Sequence, residues 1–282
     1  FYTFDFIGGR YSVTSAVGGV PLSLAFGYEV FERFLNGCHQ MDVHTLNEPE
    51  EKNLPLISAL ISIWNSNFLD YTAQAIIPYC SALSELAPHI QQLYMESIGK
   101  GATIDGQLTD YRTGLIIFGE PGTNAQHSFF QLAHQGSPFP VEFIGVVRPV
   151  YNKVQAISKG VDNHQELWAN MLAQAKALAT GKESQDKARY FSGNRPSSTI
   201  IINDLSPESI GLLLSFYEAR TAYEGFILGI NPFDQFGVEL GKVLAAEIRK
   251  EMVQKNTNPD HIFSSSDRAT QFYLDTLFKG TI

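Results

Sequence analysis

Short runs of β-branched and aromatic residues alternate in this chain with stretches whose apolar residues recur every three or four positions. That alternation restricts the fold more than any other feature. Leu115-Ile116-Ile117-Phe118 reads as a buried strand, Val141-Glu142-Phe143-Ile144-Gly145-Val146-Val147 and Thr199-Ile200-Ile201-Ile202 as two more strands, and Ala75-Ile76-Ile77-Pro78-Tyr79 as a shorter one. The opening Phe1-Tyr2-Thr3-Phe4-Asp5-Phe6 also reads as strand. Helices are predicted over 28–42, with Val30, Phe31, Phe34 and Leu35 on one stripe, over 54–68, and over 81–97, where Leu83, Leu86, Ile90 and Leu93 keep the period. Another opens near Ala125, and 165–180 forms one closed by Gly181. Ser206-Pro207-Glu208 combines an N-cap, a first-turn Pro and an early acid, so a helix runs from there past Tyr217. Helices over 238–254 and 268–278 complete the pattern. Strands separated by helices pair in parallel with helices on the sheet faces, so the fold class is α/β. Ligands of such folds are expected at the carboxyl ends of the strands.

The 282 residues suffice for one large domain or two ordinary ones. At 44% hydrophobic and only 17% charged, the composition excludes disorder, a collagen-like repeat and a coiled coil. The net charge of −9 argues against nucleic acid and anionic membranes as partners, yet leaves room for a local anion site. Two cysteines, Cys38 and Cys80, are too few for a disulfide framework and form no CxxC pair, so reduced thiols in a cytoplasmic protein are expected. The longest apolar run, 54–64, contains Pro55 and falls short of the ~18 residues of a membrane span. No secretory signal is read at the start, and the first residue is Phe1, which suggests a fragment or a processed chain.

GxGxxG, GxxxxGK[ST], GxSxG and HExxH are all absent, and His39 and His44, five apart, share no helix face that would hold a metal. Three segments are odd for purely structural text. In Gly8-Gly9-Arg10-Tyr11-Ser12 the glycines allow close backbone approach beside a guanidinium able to hold an oxyanion; a tight turn with a surface Arg is the plainer reading. In Gly119-Glu120-Pro121-Gly122-Thr123-Asn124-Ala125-Gln126-His127, the histidine is expected in the first turn of a helix, where the positive dipole end disfavours imidazolium and leaves a base available; a satisfied, partly buried His is the alternative. Lys242, early in a helix, is either solvent-facing or kept for a purpose. Gln92 and Glu96, four apart, share a helix face beside the loop Gly99-Lys100-Gly101, an arrangement that alone is usually a solvated surface.

Together these segments resemble the glucose-6-phosphate isomerase (phosphoglucose isomerase) family. Asp5-Phe6-Ile7-Gly8-Gly9-Arg10-Tyr11-Ser12-Val13-Thr14-Ser15-Ala16 is similar to one family signature, and Gly225-Phe226-Ile227-Leu228 with Phe233-Asp234-Gln235-Phe236-Gly237-Val238-Glu239 through Lys242 to the other. Met95-Glu96-Ser97, the Gly119 to His127 segment and Ala169-Asn170 stand between them in family order. The resemblance implies a sugar isomerase (SIS-like) fold, in which two α/β domains each hold a five-stranded parallel sheet. On that basis residues 1–27 are the end of the first domain, 28–255 the second, and 256–282 a C-terminal extension with a terminal helix. The chain is then the C-terminal portion of a protein roughly twice as long, expected to be inactive alone because the family's phosphate-holding Ser/Thr loop belongs to the missing N-terminal half. The implied activity is interconversion of glucose 6-phosphate and fructose 6-phosphate through a cis-enediolate, in glycolysis and gluconeogenesis. By resemblance Glu96 is the proton-shuttling base, His127 with Lys242 opens the ring, Arg10 holds the enediolate, and Gly9, Gln92 and Gln235 contact substrate. No cofactor or metal is implied; the implied partners are a sugar phosphate and a second copy sharing its active sites. A non-catalytic sugar-phosphate-binding module of the same fold is the competing reading.

Overall fold

The computed structural model describes residues 1–149, 157–158, 160–264 and 267–281. After a one-turn 3₁₀ helix at Gly9–Tyr11 come α1 (Ala16–Phe26), α2 (Tyr28–Asn47) and α3 (Leu54–Ile63). The sheet domain proper follows as β1 (Ala73–Pro78), α4 (Leu86–Ile98), β2 (Ile116–Phe118), α5 (Gly122–Ser128), α6 (Phe130–Gln135) and β3 (Val141–Val146). A two-residue antiparallel pair, β4 (Ile157–Ser158) and β5 (Val161–Asp162), leads into α7 (Asn163–Thr180). β6 (Ser197–Ile202) and α8 (Pro207–Ile227) close this unit, and α9 (Glu239–Thr257) and α10 (Arg268–Lys279) follow.

β1, β2, β3 and β6 form one parallel sheet in the order β2-β1-β3-β6. The described residues thus supply four strands where the family resemblance implied five. Alternate strand residues face opposite sides, as a period of two requires. Ile76, Ile117, Ile144 and Val146 pack under α4 and α8 on one face. Ala75, Ile77, Val141 and Phe143 pack under α5, α6 and α7 on the other. The predicted helix starts hold where the capping chemistry is explicit: Ser206 accepts from Ser209 N at the head of α8, and Asp162 with Gln165 forms a capping box on α7.

Three expectations need correction. Phe1 to Phe6 form no strand; Phe1 and Tyr2 are almost fully exposed, and no neighbouring strand takes up their backbone groups. Ala16–Phe26 also form a helix despite Pro21, with Ser15 as its N-cap. The helix predicted over 54–68 ends at Ile63 and continues as a wider π turn, Trp64–Phe68, which Leu69 N closes on Trp64 O. The helix predicted from Ser81 is a 3₁₀ turn at Ser81–Leu83 followed by a new start at Leu86.

α8 is the element against which α2, α3 and α4 pack. Its crossing with α2 is closed by two glycines: a Cβ at Gly37 would sit 2.0 Å from Glu208 O, and one at Gly211 2.1 Å from Phe34 O. Gly211→Ala must therefore push the helices apart, with an expected loss of ~1–3 kcal/mol or more. Urea unfolding checks this: the midpoint should drop at an unchanged slope, and an unmoved midpoint would show that the crossing can relax at no cost.

Residues Gln235–Ile282 form a second compact unit. Within it Phe263 and Leu274 are buried, the Phe263 and Phe278 rings meet at a tilt with centroids 5.3 Å apart, and Lys255 Nζ donates to the carbonyls of Pro259 and His261. Glu251 accepts from Ser264 N and Oγ and pairs with His261 at 2.9 Å, which together hold its carboxyl down to about 2.

Candidate active site

Arg10 follows Gly8 and Gly9 into the 3₁₀ turn, but it is no surface residue: only 4% of it is exposed. Its Nε donates to Ser97 Oγ at 2.7 Å, and its Nη2 to the carbonyls of Pro232 and Asp234, both at 2.8 Å. Nη1 lies 3.6 Å from Glu96 Oε1. The acceptors are a side-chain hydroxyl in the last turn of α4 and two backbone carbonyls of the segment after α8. Glu96 is half-buried and one helix turn from Gln92, whose Nε2 donates to Glu96 Oε2 at 3.2 Å. The two share a face as their spacing predicted.

Lys100, which the sequence reading passed over, locks the same corner. Its Nζ donates to Glu96 O at 2.8 Å and to Asp234 O at 2.5 Å, and pairs with Asp234 Oδ1 at 2.9 Å. Tyr11 adds a phenol 3.0 Å from Ser97 Oγ and a ring 5.4 Å from that of Phe233. Burial pushes the Tyr11 phenol up, against the lowering hydrogen bond from Ser97, so it stays neutral across the physiological range. Lys100 and Tyr11 lie within four residues of predicted site residues, and that proximity is the signal that would have found them.

This corner lies toward the amino ends of the strands, not the carboxyl ends. α4 follows β1 and runs back toward β2, and its exit is tied to the residue run that enters β2 by Thr113 Oγ1 donating to Lys100 O at 2.5 Å. Glu96 therefore sits at the far end from the crevice expected of doubly wound sheets, because it is carried by the last turn of a crossover helix instead of a strand-end loop.

The other predicted residues are placed differently. Gly9 is exposed beside Arg10, and a Cβ there would meet open space. His127 is exposed in the last turn of α5, not the first, because that helix begins at Gly122 directly after Pro121. The positive end of α5 is therefore not the end at which His127 stands. α5 packs on the sheet face opposite α4, so His127 and the Arg10–Glu96 pair stand on different sides of the sheet. Gln235 and Lys242 belong to the second unit, both exposed, Lys242 in the first turns of α9 as expected. A cavity of about 750 Å³ runs along β6 between α3 and α8, and none of the predicted residues lines it. Among the described residues no three His, Cys, Asp or Glu side chains gather as a metal site, and no helix is long and apolar enough to cross a membrane.

The model of the family described as phosphoglucose isomerase matches residues 1–269. The chain belongs to the phosphoglucose isomerase family. A glucose-6-phosphate isomerase from Desulfosudis oleivorans is 66% identical over 277 residues, which cover 98% of this chain and 51% of that protein. A cytosolic glucose-6-phosphate isomerase of Clarkia lewisii is 47% identical, over all of this chain and 92% of that protein. The solved glucose-6-phosphate isomerase of Chlamydia trachomatis superimposes with a TM-score of 0.89 at 42% identity, over 100% of this chain and 52% of that one. The chain thus spans about half the length of the Desulfosudis and Chlamydia proteins. The parallel sheet between helix layers is the fold of these phosphoglucose isomerases.

One half-buried acid lies near Tyr11. Glu218 on α8 has an Oε1 without a hydrogen-bond partner, and burial together with the nearby Asp42 carboxylate pushes its carboxyl up to about 8. The folded protein then holds this proton more tightly than the unfolded chain does. Stability from Glu218 is present below its ordinary 4.5 and is lost as the pH climbs through about 8. Glu218→Gln should match the wild type near pH ~4.5 and exceed it by ~1–3 kcal/mol near pH ~8.5. Urea unfolding at the two pH values checks this, and an equal difference at both would mean that Glu218 does not hold a proton in the fold.

Proposed function

We propose that this chain forms part of an aldose–ketose isomerase interconverting glucose 6-phosphate and fructose 6-phosphate, and that these 282 residues alone are inactive. The observation that carries the reading is the Arg10 guanidinium 3.6 Å from the Glu96 carboxylate, in a corner where Glu96 stays accessible and Arg10 is fixed. The reaction moves one proton between C2 and C1 of an open-chain sugar. A carboxylate removes the C2 proton, the C–H electron pair becomes the C1=C2 double bond, and the carbonyl oxygen becomes an oxyanion. The same acid then returns the proton to C1 while the C2 hydroxyl proton passes to O1, so that the C1=C2 pair forms the new C1–H bond and O2 becomes the carbonyl oxygen. Glu96 is the proposed shuttle, oriented by Gln92. Arg10 faces the developing charge with donors already in place, so little reorganisation is needed as the enediolate forms. His127 with Lys242 is assigned to ring opening, and Gly9, Gln92 and Gln235 to substrate contact. Because side chains supply both proton transfer and charge stabilisation, the scheme calls for neither metal nor organic cofactor. A module that only bound sugar phosphates would have no use for a base beside the guanidinium.

The exposed position of His127, across the sheet from Glu96, suits a residue lent to a second copy of the chain. We therefore read the protein as a homodimer with shared sites. Residues 1–27 are read as the end of a preceding sheet domain, and the setting as cytoplasmic sugar-phosphate metabolism.

Two measurements on the natural full-length polypeptide test this. With a coupled dehydrogenase assay, Glu96→Gln should lose about 10²–10⁴-fold in kcat while KM stays within a few-fold. Retention of more than a tenth of the activity would overturn the assignment. Separately inactivated Glu96→Gln and His127→Ala chains, refolded together, should recover about a quarter of wild-type activity, since half the dimers are mixed and each mixed dimer holds one intact site. No recovery would place His127 in its own chain's site.

A further inference from the structure

The hydroxyl of Ser97 sits where it can control the orientation of Arg10. Ser97 is completely buried, yet adjacent in sequence to the accessible Glu96. Neighbours on a helix point about 100° apart, so as Glu96 turns toward the opening Ser97 turns inward under the Arg10 turn. Arg10 Nε donates to Ser97 Oγ at 2.7 Å. A hydroxyl has one proton and two lone pairs, and the Tyr11 phenol, 3.0 Å away, takes up a second of these valences. The guanidinium is planar, so fixing it takes anchors on different edges. The Pro232 and Asp234 carbonyls hold Nη2, and Ser97 holds Nε. With those two edges held, the Nη1 edge is turned to Glu96 Oε1.

The geometry points to Ser97 as a positioning residue: its hydroxyl fixes the plane of the Arg10 guanidinium relative to the proton-shuttling Glu96 carried by the same helix turn. The inference rests on the isomerase reading of this site. One turn of α4 then carries both the base and the group that aims the oxyanion holder, so a shift of that turn moves them together. Without the hydroxyl, Arg10 loses its Nε anchor, so the enediolate meets a donor whose plane is less firmly set.

The test uses the natural full-length polypeptide. Ser97→Ala should lower kcat ~10–100-fold with KM within twofold, because a misplaced electrostatic group costs rate in the transition state. Arg10 Nε–H should also lose its slowly exchanging signal in ¹⁵N spectra of Ser97→Ala while keeping it in Glu96→Gln. If Ser97→Ala fails to fold, the near-isosteric Ser97→Cys, whose thiol is a weak acceptor, carries the same two expectations. In an active wild type, a folded variant with kcat within twofold, or with KM raised at constant kcat, would overturn the positioning role. If the wild type shows no isomerase activity the functional reading fails, and the Nε–H signal then decides the geometry by itself: its persistence in the variant refutes the anchoring.

Discussion

Arg220 lies inside the molecule with its Nη1 3.2 Å from Glu142 Oε2 on the central strand β3 and its Nη2 3.0 Å from Gln74 Oε1 on β1. Tyr217 donates to the other oxygen of Glu142 at 2.6 Å, and Glu224, one turn further along α8, accepts from Tyr94 of α4 at 2.5 Å. Burial works against the charge on Arg220, and the carboxylates of Glu142 and Glu224 outweigh it, holding the guanidinium protonated. A group this deep has no neutral alternative, so α8 stays where its acceptors are. The course of α8 sets where its exit segment runs, and the carbonyls of Pro232 and Asp234 on that segment receive Arg10. The charge in the core and the charge in the site are thus connected through one helix.

The site corner uses the opposite device. Arg10 is surrounded by carbonyl and hydroxyl acceptors, and the carboxylate nearest it remains partly open to solvent. Three of the groups that hold Arg10 are neutral dipoles, whereas Arg220 faces the buried carboxylate of Glu142. Lys100 has the complementary task, with its bonds to Glu96 O and Asp234 tying the end of α4 to the segment after α8.

Much of the fold was legible in the sequence because its signals are local. The four strand runs, the Ser206-Pro207-Glu208 start and the Gly181 stop each depend on a few neighbouring residues, and all fall where predicted. Misses came where a local signal was overruled by surroundings. Phe1 to Phe6 have strand composition but no partner strand, and the apolar run from Leu54 widens into a π turn at Trp64. The placing of His127 failed by one helix turn, which was enough to reverse the dipole argument.

The sequence by itself determined the fold class, the pairing of Gln92 with Glu96 on one helix face and the family to which the chain belongs, since periodicity, four-residue spacing and ordered signatures are all properties of the linear text. Tertiary structure decided that Arg10 is buried, that it meets Ser97 87 residues away and the Pro232 and Asp234 carbonyls more than 220 away, and that Glu96 faces it from the amino-end side of the sheet. A guanidinium's partners follow from where crossover helices end in space, and nothing in the neighbouring residues of the chain encodes that.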